Sequence, residues 1–401
     1  MARVNLQPVS SNYLLRQRKL PVFQRVLTVG ILLLLASCGR GQEQSIQTHE
    51  VRDCYRLADY FGTDAGIDRI VDSVFNSLND TLRIAQKLVV AAGRLGLPDA
   101  RVDALVAAGR AGGVLLLNGS VDDFRLRVAR YDSLTRKGGH VPLLYSADAE
   151  PSLINRKITG TRKVPKTADI RHADTCRNVA LRIAGDLRAI GIRHNFAPVI
   201  DLGQSNEAIR DRSFSAFPDS VVHLADIFSR VMQDEGIIAT AKHFPGHGRV
   251  QGDTHRGLVY IRGYPEESEN YAQLIGSGIL SVMVGHIAVQ GDSVYDTGGL
   301  PAVCSPVIVK DLLRGKMEFR GLIVTDAMNM GALKGIQDAG LLAARAGCDI
   351  ILMLPDEGAW IGRMLAEMES DAPFRESVYR SVRRILRAKV CLNLLTNEGC
   401  N

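Results

Sequence analysis

The chain has 401 residues, of which 46% are hydrophobic and 23% charged, and its formal net charge is +6 at pH 7. Five of the positive charges (Arg3, Arg16, Arg18, Lys19 and Arg25) lie in the first 37 residues, which hold no acid, so the remainder stands at only +1. Such a balance gives no call for a nucleic-acid or anionic-surface partner, and no nucleic-acid partner is expected.

In chain order, the basic start runs into an apolar stretch, VLTVGILLLLA over 26–36. A helix that crosses a bilayer needs about 20 apolar residues. A basic start, a short apolar core and small residues after it instead mark an export signal. The stretch closes on Leu35, Ala36, Ser37 and Cys38, which resembles a bacterial lipoprotein signal. That resemblance implies a lipid on Cys38 and a chain anchored to a bacterial membrane, facing the periplasm or the cell surface. The polar run GRGQEQSIQTHE that follows suits a flexible tether. The expected organisation is a signal over 1–37, a tether and N-terminal extension over 38–75, one folded domain over 76–395 and a tail over 396–401.

Seven cysteines (Cys38, Cys54, Cys176, Cys304, Cys348, Cys391 and Cys400) show no CxxC spacing and no zinc pattern. Cys391 and Cys400 form a candidate local pair. Cys176, Cys304 and Cys348 read as small buried residues.

From residue 87 onward, short apolar runs alternate with amphipathic segments. Strands are expected at 87–92, 113–118, 141–148, 194–201, 237–244, 281–287, 321–328 and 349–355. Apolar runs of this kind suit strands buried on both faces. Helices are expected at 176–191, ending at Gly191, and at 220–236, ending at Gly236. Two more are expected at 305–319, opening Ser305-Pro306, and at 376–395. Eight strand–helix units predict an α/β fold of the (β/α)8 TIM-like barrel type, with a doubly wound open sheet as the alternative. A barrel places its chemistry at the C-terminal strand ends. Asp148, Asp201, Lys242 with His243, His286 and Asp326 all fall there.

The stretch KHFPGHGRVQGDTH (242–255) is the richest in chemistry. Pro245, Gly246 and Gly248 stop a helix from running through it. His243 and His247 therefore cannot share a helix face as metal ligands, and no metal or cofactor is expected. A metal-dependent hydrolase, which a chelator would inactivate, is the least favoured reading. Asp253 and His255 are two apart, and a carboxylate there can orient and charge-stabilise an imidazole, as in a general acid/base. In GLIVTDAMNMGAL (321–333), Asp326 reads equally as a catalytic carboxylate or as a helix N-cap.

Taken together, KHFPGHG, then DTH, then VTDAMNM resemble glycoside hydrolase family 3, and more narrowly its bacterial β-N-acetylglucosaminidase branch. The resemblance runs over residues 76–395, nearly all of the chain beyond the signal. It implies a retaining glycosidase that removes terminal β-linked N-acetylglucosamine. Asp326 would be the nucleophile, His255 the acid/base and Asp253 its partner. Asp148, Arg212, Lys242 and His243 would hold the sugar, with Met328 also placed at the substrate and His286 in a supporting position. His247 is expected to hold the shape of its loop, and the glycines there to let His255 swing over bound sugar. A carbohydrate, as a β-GlcNAc-terminated glycan or muropeptide, is the implied partner.

Two departures stand out. The third strand end reads DAEPSLINRK (148–157), with Pro151 and Ser152 where the family has two glycines, and Arg156 displaced. No asparagine-rich run follows Asp201. These leave β-glucosidase, β-xylosidase or glycosyl phosphorylase activity as alternatives, together with a catalytically weakened glycan-binding lipoprotein.

Overall fold

The computed structural model describes residues 54–203 and 206–396. The expected signal, Cys38 and the last residues of the tail lie outside them. All eight expected strands are present: β1 (Leu88–Ala92), β2 (Gly113–Leu116), β3 (Leu144–Ala147), β4 (His194–Asn195), β5 (Ile238–Phe244), β6 (Ser281–Val284), β7 (Leu322–Thr325) and β8 (Ile351–Leu352). They are parallel and lie in the order β7-β6-β5-β4-β3-β2-β1-β8. A parallel bridge between Val324 and Ile350 joins the two ends of that order, with Thr325 N–H donating to Ile350 O at 3.0 Å. The sheet is thus a (β/α)8 barrel and not an open sheet.

Every residue of these strands is buried. Helices cover the outer face and side chains fill the interior, which is why the strands read as apolar runs without alternation. The interior is not wholly apolar. His194 Nε2 lies 2.9 Å from Thr240 Oγ1 and 3.3 Å from Ser281 Oγ, linking β4, β5 and β6. Burial pushes this imidazole down to about 3, so it is neutral at physiological pH.

The helices follow the expected plan with two differences. Helix Ala173–Ile190 ends at Gly191, whose φ of 100° is the left-handed cap that glycine permits. The segment opened by Ser305-Pro306 is a π-helix over Val307–Lys316, and no side chain caps its start. The terminal helix begins at Ala372, earlier than the expected 376, because Asp371 accepts Phe374 N–H at 2.9 Å and Pro373 sits in the first turn.

Of the segment expected as tether and extension, the described part from residue 54 is folded. Helix Ala65–Ser77 is capped by Asp64 and packs on the terminal helix. Arg387 donates to Tyr60 O and to Asp68 Oδ1, each at 2.6 Å. Tyr55 and Asn393 exchange two hydrogen bonds, of 2.8 and 2.9 Å. The expected pairing of Cys391 with Cys400 is not formed. Cys391 is a free, buried thiol at the end of the terminal helix, beneath this N-terminal layer. Cys176, Cys304 and Cys348 are likewise free and buried, and Cys54 is disulfide-bonded. Among the described residues no helix is long and apolar enough to cross a membrane.

At the N-terminal end of the barrel, Lys389 Nζ is fully buried. It donates to Gln86 Oε1 (2.8 Å), Gly112 O (2.9 Å) and Pro142 O (2.7 Å). This lysine ties the terminal helix to the barrel floor and leaves the opposite end free for chemistry.

Candidate active site

The C-terminal ends of the strands surround a cavity of about 530 Å³. Asp148, Arg212, Lys242, His243, His247, Asp253, His255 and Asp326 all line it. Residues far apart in the chain meet there because each follows, or ends, a barrel strand.

One wall is a five-membered charge cluster. Lys242 Nζ, at the end of β5, donates to Asp148 Oδ1 and pairs with Glu150 Oε1, both at 2.6 Å. Arg212 grips Glu150 with two parallel bonds, Nε to Oε2 at 2.9 Å and Nη2 to Oε1 at 2.7 Å. Lys157 pairs with the second oxygen of Asp148. Burial works against the charge on Asp148, but Lys157, Lys242 and Arg212 outweigh it and hold the carboxyl well below its ordinary value. Burial likewise opposes the charge on Lys242, and Asp148 and Glu150 raise it regardless. With two donors engaged, the Lys242 ammonium keeps one for a ligand. Cations and anions alternate here, a pattern suited to hydroxyl groups that both donate and accept.

A second set of contacts fixes His243. Its Nδ1 lies 2.6 Å from Asp201 Oδ2, and its backbone N–H donates to both oxygens of that carboxylate at 3.1 Å. Nδ1 is thereby the donor, and Nε2 is left to serve the cavity. Asp201 also accepts His247 N–H at 2.8 Å. His247 is 3% exposed and is held by Asn206 Nδ2 (3.0 Å) and Thr254 Oγ1 (3.3 Å). Its contacts are thus those of a residue that shapes the loop.

At the tip of the loop, Asp253 Oδ1 accepts both the backbone N–H of His255 (2.9 Å) and its Nδ1–H (2.7 Å). Burial opposes the charge on Asp253, and the two bonds from His255 lower its carboxyl nonetheless. The His255 side chain is 65% exposed, so its Nε2 can meet a ligand entering from solvent. On the β7 end, Asp326 Oδ1 accepts Ala327 N–H at 2.8 Å, and Oδ2 has no hydrogen-bond partner among the described residues. Burial pushes this carboxyl up, but His243, His286, the Ala327 N–H and Lys242 together hold it below its ordinary value. An ionised carboxylate with one free oxygen faces a cavity that also holds an imidazole poised on a carboxylate. The chemistry available is nucleophilic attack by the first and proton transfer by the second.

Two expected site residues do not line the cavity. Met328 is 4% exposed and packs in the hydrophobic core, because its N–H is drawn onto β8 by Leu352 O at 2.9 Å. Asn329 and Met330, its neighbours, line the cavity instead. His286 lies behind the Asp326 loop, with Nε2 donating to Ala327 O at 2.9 Å and Nδ1 buried without a partner. It shapes the loop that carries Asp326.

Glu150 and Lys157 were not singled out from the sequence, and neither were Asn206 and Glu267, which brace the loop. Glu150 had a signal, an acid two residues beyond Asp148 just past the end of β3. Lys157 takes part through the short helix Ile154–Lys157, which DAEPSLINRK forms in place of a glycine turn. Arg156 lines the cavity beside it. Among the described residues no group of three or more His, Cys, Asp or Glu side chains is arranged to hold a metal ion.

Residues 82–388 match the model of the glycosyl hydrolase family 3 N terminal domain. A beta-hexosaminidase from Xylella fastidiosa strain M12 is 34% identical over 250 residues, covering 58% of this chain and 73% of that one. Among solved structures, a glycoside hydrolase family 3 beta-N-acetylglucosaminidase from Paenibacillus sp. FPU-7 superposes with a TM-score of 0.73 at 27% identity. That match covers 81% of this chain and 64% of the Paenibacillus chain. A beta-N-acetylhexosaminidase from Beutenbergia cavernae gives a TM-score of 0.70 at 28% identity, covering 78% of this chain and 98% of that one.

Proposed function

The chain belongs to glycosyl hydrolase family 3, and from that premise we propose that it is a retaining exo-β-N-acetylhexosaminidase that works through Asp326 and the His255–Asp253 pair. The observation that carries this reading is one cavity that holds the free oxygen of Asp326, the imidazole of His255 and the Lys242 cluster together. The names of the relatives support the substrate class. In the first step Asp326 attacks the anomeric carbon while His255 Nε2–H protonates the departing oxygen, and the glycosidic bond breaks. In the second, His255 takes a proton from water, whose oxygen displaces Asp326 and frees the sugar. This is double displacement with a histidine in the place of the usual second carboxylate. The Asp148–Lys242–Arg212 wall and His243 Nε2 hold sugar hydroxyls through both steps.

The test is release of an aryl leaving group from β-N-acetylglucosaminide and β-glucoside, with and without phosphate. Turnover of the N-acetylglucosaminide to free sugar by wild type, and its loss in Asp326→Asn, is expected. Equal turnover by the two proteins sinks the proposal. Sugar 1-phosphate as the product reassigns the chain to phosphorolysis, and preference for the glucoside reassigns its substrate.

We further propose export and lipidation at Cys38, on the strength of the basic, apolar and LASC sequence of 1–38. The Cys54 disulfide supports it, since such bonds persist in oxidising compartments. Incorporation of a labelled fatty acid that is lost in Cys38→Ala is the expected outcome, and equal labelling of the two proteins refutes it.

A further inference from the structure

Two buried carboxylates that touch no reacting atom in the chemistry above hold the loop between β5 and the proton-transfer pair. Asp201 accepts His247 N–H at 2.8 Å. Glu267 accepts the next two backbone donors, Gly248 N–H on Oε2 at 3.2 Å and Arg249 N–H on Oε1 at 2.7 Å. Glu267 Oε2 also accepts Leu202 N–H at 2.9 Å, beside Asp201. Farther along the loop, Asn206 Nδ2 donates to Val250 O (2.8 Å) and Gly252 O (3.0 Å). The loop is thus fastened at His247, Gly248, Arg249, Val250 and Gly252, and Asp253 and His255 follow at once. The glycine at 246 fits this arrangement. Its φ is +132°, and a Cβ there would lie 2.3 Å from the Glu267 Cβ.

Glu267 sits in the turn Glu266–Glu269, outside the barrel, and does not line the cavity. It is 7% exposed. Among the described residues no cation pairs with it, since the neighbouring Arg249 guanidinium pairs with Glu266. A buried carboxylate whose partners among the described residues are all backbone N–H groups is expensive for a fold that needs only a filled space. It makes sense where those particular N–H groups must be fixed.

We propose that Glu267 is a positioning residue for proton transfer: as a carboxylate it fixes the amides of Leu202, Gly248 and Arg249 and so places the Asp253–His255 pair over the cavity. This inference rests on the reading of His255 as the acid/base. The titratable groups around Glu267 are Asp201, with His243 and His247 bound to it, Tyr271 on the following helix, and the Arg249–Glu266 pair outside. Burial, then Asp201, push the Glu267 carboxyl up to about 7, against its three N–H donors. Above that pH the charged form accepts all three bonds. As pH falls through 7, one oxygen takes a proton and the grip on the loop weakens.

The test compares wild type, Glu267→Gln and Glu267→Asp. The glutamine keeps the size but turns an NH2 toward backbone donors. The aspartate keeps the charge with a shorter reach. In Glu267→Gln, kcat is expected to fall about 10–100-fold on β-N-acetylglucosaminides with poor leaving groups, which need the acid, and less than about 3-fold on activated aryl substrates. KM should stay within about 2-fold, Glu267→Asp should recover part of the loss, and the acid limb of the wild-type pH profile should flatten in the glutamine variant. Hydrogen exchange at the Gly248 and Arg249 amides should quicken whether or not the protein turns over substrate. Equal losses on both substrate classes, with a lowered Tm, would make Glu267 a support of the fold and overturn the proposal. Unchanged amide exchange in Glu267→Gln overturns it too. If wild type hydrolyses nothing, the acid/base reading fails on its own account, and the proposal falls with it.

Discussion

Ala332 N–H donates to Thr254 O at 3.1 Å, which ties the loop that follows Asp326 directly to the loop that carries His255. Beside that bond, the His255 carbonyl packs against Gly331. A Cβ at residue 331 would lie 2.5 Å from His255 O and 3.0 Å from the carbonyl carbon of Arg256. The two halves of the chemistry are therefore registered against each other through backbone, not only through their side chains. Any swing of His255 must part this contact, and it is confined to the tip beyond Gly252, because five of the six residues from His247 to Gly252 are bonded to Asp201, Glu267 or Asn206.

Gly331→Ala should displace the tip without touching a reacting group. Backbone cannot give way as a flexible side chain does, so the added methyl moves the loop. The expected result is a fall in kcat of roughly 10-fold or more on substrates with poor leaving groups, and a smaller one on activated substrates. A variant whose kcat on poor leaving groups matches wild type would show that the contact does not set the position of His255.

Asp253→Asn probes the acid/base pair. The carboxylate accepts Nδ1–H, and in the proposed mechanism it stabilises the imidazolium that forms when His255 takes a proton. An amide at this position weakens both effects. The variant should lose about 10²–10⁴-fold in kcat on poor leaving groups, and hydrolysis of activated aryl substrates should slow at the step that needs the base. Burst kinetics, with rapid release of the first equivalent of aryl alcohol, would be the signature. Equal loss across all leaving groups would count against the assigned role.

Much of this site was legible in the sequence because a barrel forces strand ends together. Asp148, Lys242, His243 and Asp326 could be placed on one face by counting strands alone. Asp253 and His255 could be paired by their spacing. What stayed hidden depends on side chains reaching across loops. Glu267 comes from the turn after the strand Val259–Arg262, and nothing in its local sequence distinguishes it from Glu266, which is exposed and pairs with Arg249. Met328 was misplaced because its backbone is drawn onto β8, which turns Asn329 and Met330 to the cavity instead. Single-residue alternation within an irregular strand-to-helix turn has no period that a sequence can display.

Glu150→Gln should unsettle both stability and binding. Glu150 is 1% exposed and answers two cations, the buried Lys242 and the half-buried Arg212. Neutralising it leaves their charges without full compensation, which for a buried pair such as Lys242–Glu150 typically costs about 3–5 kcal/mol. Asp148 still accompanies Lys242, so a loss near the lower end, about 3 kcal/mol, is expected in denaturant unfolding. KM for the N-acetylglucosaminide should rise more than kcat falls, since the proposed mechanism gives the cluster the sugar and not the bond that breaks. Wild-type stability in the variant would mean that solvent reaches this cluster.

Lys389 gives a pH signature at the other end of the barrel. Burial alone lowers its ammonium from 10.5 to about 7, because its three acceptors are neutral. Between pH 7 and 10.5 the unfolded chain holds this proton and the folded chain does not. The unfolded state then binds more protons, so stability rises with pH across that window. Its contribution is complete above 10.5 and is lost as pH falls through 10.5 toward 7. Lys389→Met removes the proton from both states and keeps much of the volume. Its stability should exceed that of wild type most at pH 7 and below, with the gap narrowing toward pH 10. The gap at low pH is of order 1–4 kcal/mol for replacement of a buried charge by an apolar chain, reduced by whatever the three lost hydrogen bonds contribute, about 1 kcal/mol each. Chemical denaturation of the two proteins at pH 6, 8 and 10 measures it. A gap that does not change with pH would show that Lys389 stays charged in the folded protein.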